Sequence, residues 1–267
     1  MTIACAFLVS EGVVFGADST TTVTIGPNVV QLLNHAQKIF EVGETGRMAM
    51  CTWGSGKVGS VSHRTIAARL GDSIASDTTV DGAADVLVRI IERTTNPAMG
   101  MLGYFLGGAN RDREPACIQL TFDGGRLVAR EPLAVGDARF QGAPQMFHRA
   151  FRGFDPDMPA LLHTALLGRL APLLPPGTDF DTLFVDSFLE AAAALTAGGH
   201  TDMPIREAID FLHMYLHVTI KGFKFRFGPP VCGGPIELAF VSTDRQFRWV
   251  RHKDFDSAIL EQEGGLE

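Results

Sequence analysis

Removal of Met1, which the small side chain of Thr2 favours, leaves a threonine that carries a hydroxyl and a free α-amine on one residue. Those two groups are a nucleophile and a base. An unperturbed α-amine titrates at about 7.7–8.0. A modest lowering by a nearby cation or by burial therefore leaves it neutral and able to accept the hydroxyl proton. Such chemistry needs an ammonium and a carboxylate beside the terminus. Asp18 ends the second of two apolar runs joined by Ser10-Glu11-Gly12, so a hairpin returns it to the start of the first run. Lys38 opens a later strand candidate. Taken singly, Thr2 is a common second residue, Asp18 a strand-end residue and Lys38 a surface charge. Their strand contexts make the combination the strongest constellation in the chain.

Other candidates reduce to plainer explanations. Gly54-Ser55-Gly56-Lys57-Val58-Gly59 reads G-x-G-x-x-G between a strand and a helix candidate, the setting of a dinucleotide's phosphates. The required second strand with its acidic end is missing, because residues 73–80 are polar and lead into another helix, so a tight strand-to-helix turn is the reading taken. His213 and His217 lie four apart on one helix face, but Met214 stands where H-E-x-x-H has its glutamate and no third ligand is near in sequence. The stretch Arg248, Trp249, Arg251, His252, Lys253 reads as the charged face of an edge strand. Residues 227–235, rich in glycine and proline, form a shaped loop, in which Cys232 reads as a packed small hydrophobe.

The elements that must position Thr2, Asp18 and Lys38 follow from patterning. Residues 2–9 and 13–18 form a hairpin, and strand candidates continue at 19–25, 29–33, 38–42 and 47–53. Two helices follow, the first over about 57–70, the second with Ala83, Ala84, Leu87, Ile90 and Ile91 on one face. A meander over 102–107, 116–122 and 126–132 turns at Asn110-Arg111-Asp112 and Asp123-Gly124-Gly125. Helices are expected over 144–154, 159–174, 180–196 and 205–220, then strands at 236–243 and 247–250. Strands, two helices, strands, helices, strands is an α+β order. One domain over 1–267 is expected, with a helical insertion at about 159–201 and a polar tail after about 252.

Composition bounds the function. The 267 residues are 46% hydrophobic and 20% charged, enough for a full core. A net charge of -7 offers no attraction to nucleic acid or anionic lipid. No apolar run approaches the roughly 18 to 20 residues of a spanning helix. The four cysteines never form C-x-x-C and suggest neither a zinc ribbon nor a disulfide framework, which fits the cytosol.

Thr2-Ile3-Ala4 with Glu11-Gly12-Val13-Val14-Phe15-Gly16-Ala17-Asp18-Ser19 resembles the opening of proteasome β-type N-terminal nucleophile (Ntn) hydrolases, and Lys38-Ile39-Phe40 is similar to that family's K-[IL] motif. Val135-Gly136-Asp137-Ala138-Arg139-Phe140-Gln141-Gly142-Ala143-Pro144 resembles a turn of the bacterial HslV/Anbu-like branch, and Gly228-Pro229-Pro230 with Gly233-Gly234-Pro235-Ile236 its closing segment. The resemblance implies a four-layer αββα sandwich and a threonine peptidase with Thr2, Asp18 and Lys38 as catalytic residues. It also implies Met50 facing the substrate side chain and an oxyanion donor between Thr52 and Gly54. It implies no metal or organic cofactor, a peptide or protein substrate, a homo-oligomeric ring and a regulatory ATPase as partner. Asp137 stands where the family commonly has a serine, and Pro229 and Cys232 where it has an aspartate and a serine. Asp137 or a neighbouring carboxylate is then the substitute support for the terminal amine. A non-catalytic ring or scaffold subunit of the same fold is the alternative.

Overall fold

The two apolar runs at the start pair antiparallel as β1 (Ala4–Val9) and β2 (Gly12–Ala17), with Ala4 opposite Ala17 and Val9 opposite Gly12. The computed structural model describes residues 2–25, 28–95, 100–151, 153–155, 157–175, 177–195, 202–225 and 232–253. Met1, Pro176, Gly198-Gly199, residues 226–231 with Pro229, and the tail from 254 lie outside them. The chain divides into two compact units, Met1–Ala143 with His200–Glu267, and Pro144–Gly199.

In the first unit, β3 (Thr21–Ile25) and β4 (Asn28–Leu33) form a hairpin of their own. β5 (Ile39–Val42) and β6 (Met48–Gly54) lead to helices α1 (His63–Ser73) and α2 (Val80–Thr94). The meander is β7 (Leu102–Ala109), β8 (Pro115–Asp123) and β9 (Arg126–Pro132), followed by β10 (Ala138–Gln141). One five-stranded antiparallel sheet runs β5-β6-β7-β8-β9.

In the second unit, α3 (Gln145–Phe151), α4 (Met158–Leu170) with a 3-10 turn after it, and α5 (Phe180–Leu195) surround aromatic contacts such as Phe154 on Phe188 at 5.0 Å. His163 sits against Phe180 and Phe184 and pairs with Asp181 at 2.7 Å. The unit begins at Pro144.

The first unit closes with α6 (Ile205–Lys224), β11 (Glu237–Ser242) and β12 (Arg248–Arg251), giving a second sheet in the order β10-β1-β2-β11-β12. Every residue of β1 and β2 is buried, which explains why these strands read as continuous apolar runs rather than alternations. On one face Ala4, Ala6, Leu8, Val13 and Phe15 meet Ile39, Ala49, Cys51, Trp53 and Phe105 of the other sheet. On the opposite face α6 packs Phe211 on Phe7 at 5.3 Å and Tyr215 on Phe140 at 6.0 Å. The far side of the β5–β9 sheet receives Ile66 and Leu70 of α1 and Ala84, Leu87 and Ile91 of α2. Among the described residues the fold is mixed, with six helices, none long and apolar enough to cross a membrane.

Three local differences from the sequence expectations have physical causes. α1 starts at His63 rather than near Lys57, because Val58 and Val61 bridge across the glycine loop and Ser62 caps the helix through the Thr65 amide. β10, read as part of a turn, is a strand because its backbone completes the free edge of β1; only Phe140 in it is fully buried, too little for a local pattern. His252 and Lys253 do not continue the charged face of β12 but turn inward to Glu237.

Candidate active site

Hairpin register brings Asp18 opposite Ile3. The Asp18 amide donates to Ile3 O at 3.1 Å, and the Ile3 amide donates back to Asp18 Oδ1 at 3.0 Å. A fully buried carboxylate needs compensation. Asp18, with no exposure, receives four donors: the Ile3 amide, Lys38 Nζ at 2.5 Å, the Thr20 amide at 3.1 Å and the Gly233 amide at 2.9 Å. Lys38 Nζ also donates to Thr20 O at 2.7 Å. Burial pulls the Lys38 pKa below its ordinary value, opposed by the charge and hydrogen bond of Asp18.

Thr2 is buried, one peptide from the Ile3 amide that Asp18 holds. Gly142 closes its other side. The φ of Gly142 is +89°, and a Cβ there would lie 1.9 Å from Thr2 O, so only glycine fits. The structure therefore brings Thr2, Asp18 and Lys38 into one neighbourhood, from the ends of β1, β2 and the start of β5.

The substitute supports fall differently. Asp137 O accepts from the Leu8 amide at 3.1 Å, at the other end of β1. Six residue steps of extended chain separate that point from Thr2, roughly 20 Å. Asp137 cannot serve the terminal amine, and its carboxylate instead accepts from the Ala134 amide. The closing loop does approach, through the backbone amide of Gly233 on Asp18. Its neighbour Cys232 is buried, and burial pushes that thiol up to about 12, which fits a packed side chain rather than a nucleophile.

Met50 lies fully buried in the core under α1 and α2 with Ile66, Leu70 and Leu87. The Thr52 amide donates to Lys38 O at 3.0 Å and its hydroxyl to Gly103 O at 3.2 Å. Gly54, exposed at the end of β6 with φ +86°, follows two residues later. A cavity of about 1090 Å³ is lined among others by His35, Gln37, Phe40, Arg64, Trp249 and Lys253, and none of Thr2, Asp18, Lys38, Met50, Thr52 and Gly54 lines it.

Two buried polar groups escape sequence reading. His63 donates from Nε2 to Ser55 O at 2.8 Å, which leaves Nδ1 to accept the Tyr104 hydroxyl at 2.8 Å. Burial lowers its pKa. Glu237 is a lone carboxylate within an apolar strand, a signal that the sequence did carry. Elsewhere, His213 Nε2 faces Arg251 at 3.2 Å, an arrangement hostile to a cation. Among the described residues no cluster of histidine, cysteine or carboxylate suits a metal.

No family model matches the chain, and no curated protein matches it. Among solved structures it is similar to the Gly-1 mutant of Anbu from Hyphomicrobium sp. strain MC1, at 14% identity and a TM-score of 0.57. The match covers 100% of this chain and 98% of that one. The chain has a proteasome-like fold, in agreement with the family resemblance of its opening residues.

Proposed function

We propose that this chain is a proteasome-like threonine amidohydrolase acting on peptides or proteins, with α6, the two sheets and the α1–α2 pair forming the four-layer αββα sandwich of an Ntn hydrolase. It works in the cytoplasm as a homo-oligomeric ring and needs no metal or organic cofactor. The observation that carries this reading is the buried Asp18–Lys38 pair fastened to the Ile3 amide, immediately after Thr2. Burial of so costly a pair at a chain end is consistent with placing charge beside the terminal amine.

In this mechanism Lys38 lowers the pKa of the Thr2 amine, and Asp18 fixes Lys38. The amine takes the proton from Thr2 Oγ1 as it attacks the peptide carbonyl, then delivers it to the leaving amine. An acyl-enzyme ester on Thr2 remains, and water activated by the same amine releases the acid. Thr52 N–H is already bonded to Lys38 O, and strand N–H groups alternate in direction. The Gly54 N–H therefore points to the same side as that of Thr52, and we assign it as the oxyanion donor.

The test is intact mass after treatment with a peptide vinyl sulfone. The wild type is expected to lack Met1 and to gain one adduct on Thr2, whereas Thr2→Ala gains none. An unmodified wild type with Met1 retained, or equal labelling of Thr2→Ala, overturns the assignment.

A further inference from the structure

Glu237 of β11 is a carboxylate with no solvent exposure, and its partners come from two distant parts of the chain. Oε2 accepts the backbone N–H of Lys38 at 3.2 Å. Oε1 lies 3.0 Å from Lys253 Nζ and 3.0 Å from His252 Nδ1, as ion-pair contacts. Lys253 Nζ then donates to Ala36 O at 2.7 Å and to Ser19 Oγ at 3.3 Å. The Ala36 amide donates to Ser19 O at 2.9 Å. Ser19 follows Asp18 directly, and Ala36 stands two residues before Lys38. Between them the chain leaves the main sheets as the β3–β4 hairpin. The spacing between the two feet of that hairpin sets how closely Lys38 meets Asp18, and Lys253 bonds to both feet while Glu237 fastens Lys38 from below.

We propose that Glu237 and Lys253 are positioning residues: a second ion pair, its carboxylate fully buried and its ammonium partly so, that clamps the base of the β3–β4 hairpin and thereby fixes the Asp18–Lys38 geometry at Thr2. The inference rests on the threonine-hydrolase reading. A buried ion pair is poor value as stabilisation, since well-packed apolar residues do as well or better. Its worth here lies in geometry. Neither side chain contacts the reacting atoms, so their effect travels through the Ser19, Ala36 and Lys38 backbone, with atoms displaced by fractions of an ångström costing rate rather than affinity.

The experiment uses the full chain and the peptide vinyl sulfone, reading the maximal rate of Thr2 labelling, the half-saturating probe concentration and the thermal midpoint. Lys253→Met and Glu237→Gln are each expected to cut the maximal rate about 10- to 100-fold while half-saturation changes less than about twofold. Lys253→Arg, which keeps a cation and donors, is expected to recover most of the rate. If Lys253→Met melts below the assay temperature, Lys253→Gln replaces it under the same criteria. Wild-type rates in folded Lys253→Met and Glu237→Gln, with Thr2 labelled, overturn this proposal alone. Rate losses that only track the thermal midpoint also overturn it. No Thr2 labelling in the wild type overturns the hydrolase reading together with it.

Discussion

The amide of Ile3 donates to the same Asp18 Oδ1 that receives the Lys38 ammonium. One carboxylate oxygen thus ties the start of β1 to the start of β5. Removing the carboxylate leaves the buried Lys38 ammonium without its counter-charge, a loss of about 3–5 kcal/mol. Asp18→Ala is expected to lose stability in that range in urea unfolding. Lys38→Met is expected to lose less, because Asp18 keeps three backbone donors. Equal and small losses in both variants, within about 0.5 kcal/mol, would show that the pair is not the anchor.

Gly142 faces Thr2 O with no room for a Cβ and with a positive φ. Gly142→Ala therefore combines backbone strain with a steric clash, expected to cost more than about 1–3 kcal/mol and to slow Thr2 labelling. Gly43 supplies the control. Its φ is +74°, but an added Cβ meets nothing closer than 3.6 Å. Gly43→Ala should show the strain alone and leave labelling untouched. Matching losses in the two variants would contradict the close approach at Thr2.

His63 is buried, and its pKa is lowered by desolvation, so the folded state binds its proton less readily than the unfolded chain. Its folded pKa lies below the usual value of about 6.5. Stability from the neutral imidazole is full above that value and is lost as pH falls through the folded pKa, with a slope of up to about 1.4 kcal/mol per pH unit. Denaturant midpoints of wild type and His63→Gln, taken from pH 7.5 to 5, should converge as pH falls. Parallel lines would assign the acid sensitivity elsewhere.

The amino-terminal hairpin was readable because both its runs are apolar and its turn chemistry is local, and α2 and α6 were readable from periodicity alone. Asp18 and Lys38 stood out because their charges interrupt or border apolar strands. Glu237 interrupts one too, yet its partners Lys38 and Lys253 lie on other elements, the first 199 residues away. The same holds for Gly233, which reaches Asp18 across 215 residues, and for Tyr104 on His63. The misplacement of Asp137 has that origin as well: a turn motif shows which residues bend the chain, while the β1–β10 register decides that Gly142, not Asp137, arrives at Thr2.

What the sequence determined by itself was the set of local elements and the presence of a hydroxyl, a carboxylate and an amine at strand ends, since periodicity and turn preference act over a few residues. Only the tertiary structure decided which of the buried charges share a neighbour, that Met50 faces the helices, and that a lysine near the other end of the chain bonds to both feet of the β3–β4 hairpin. Those outcomes depend on how two sheets stack and which edges they complete, and that packing is set by the whole core at once rather than by any segment of it.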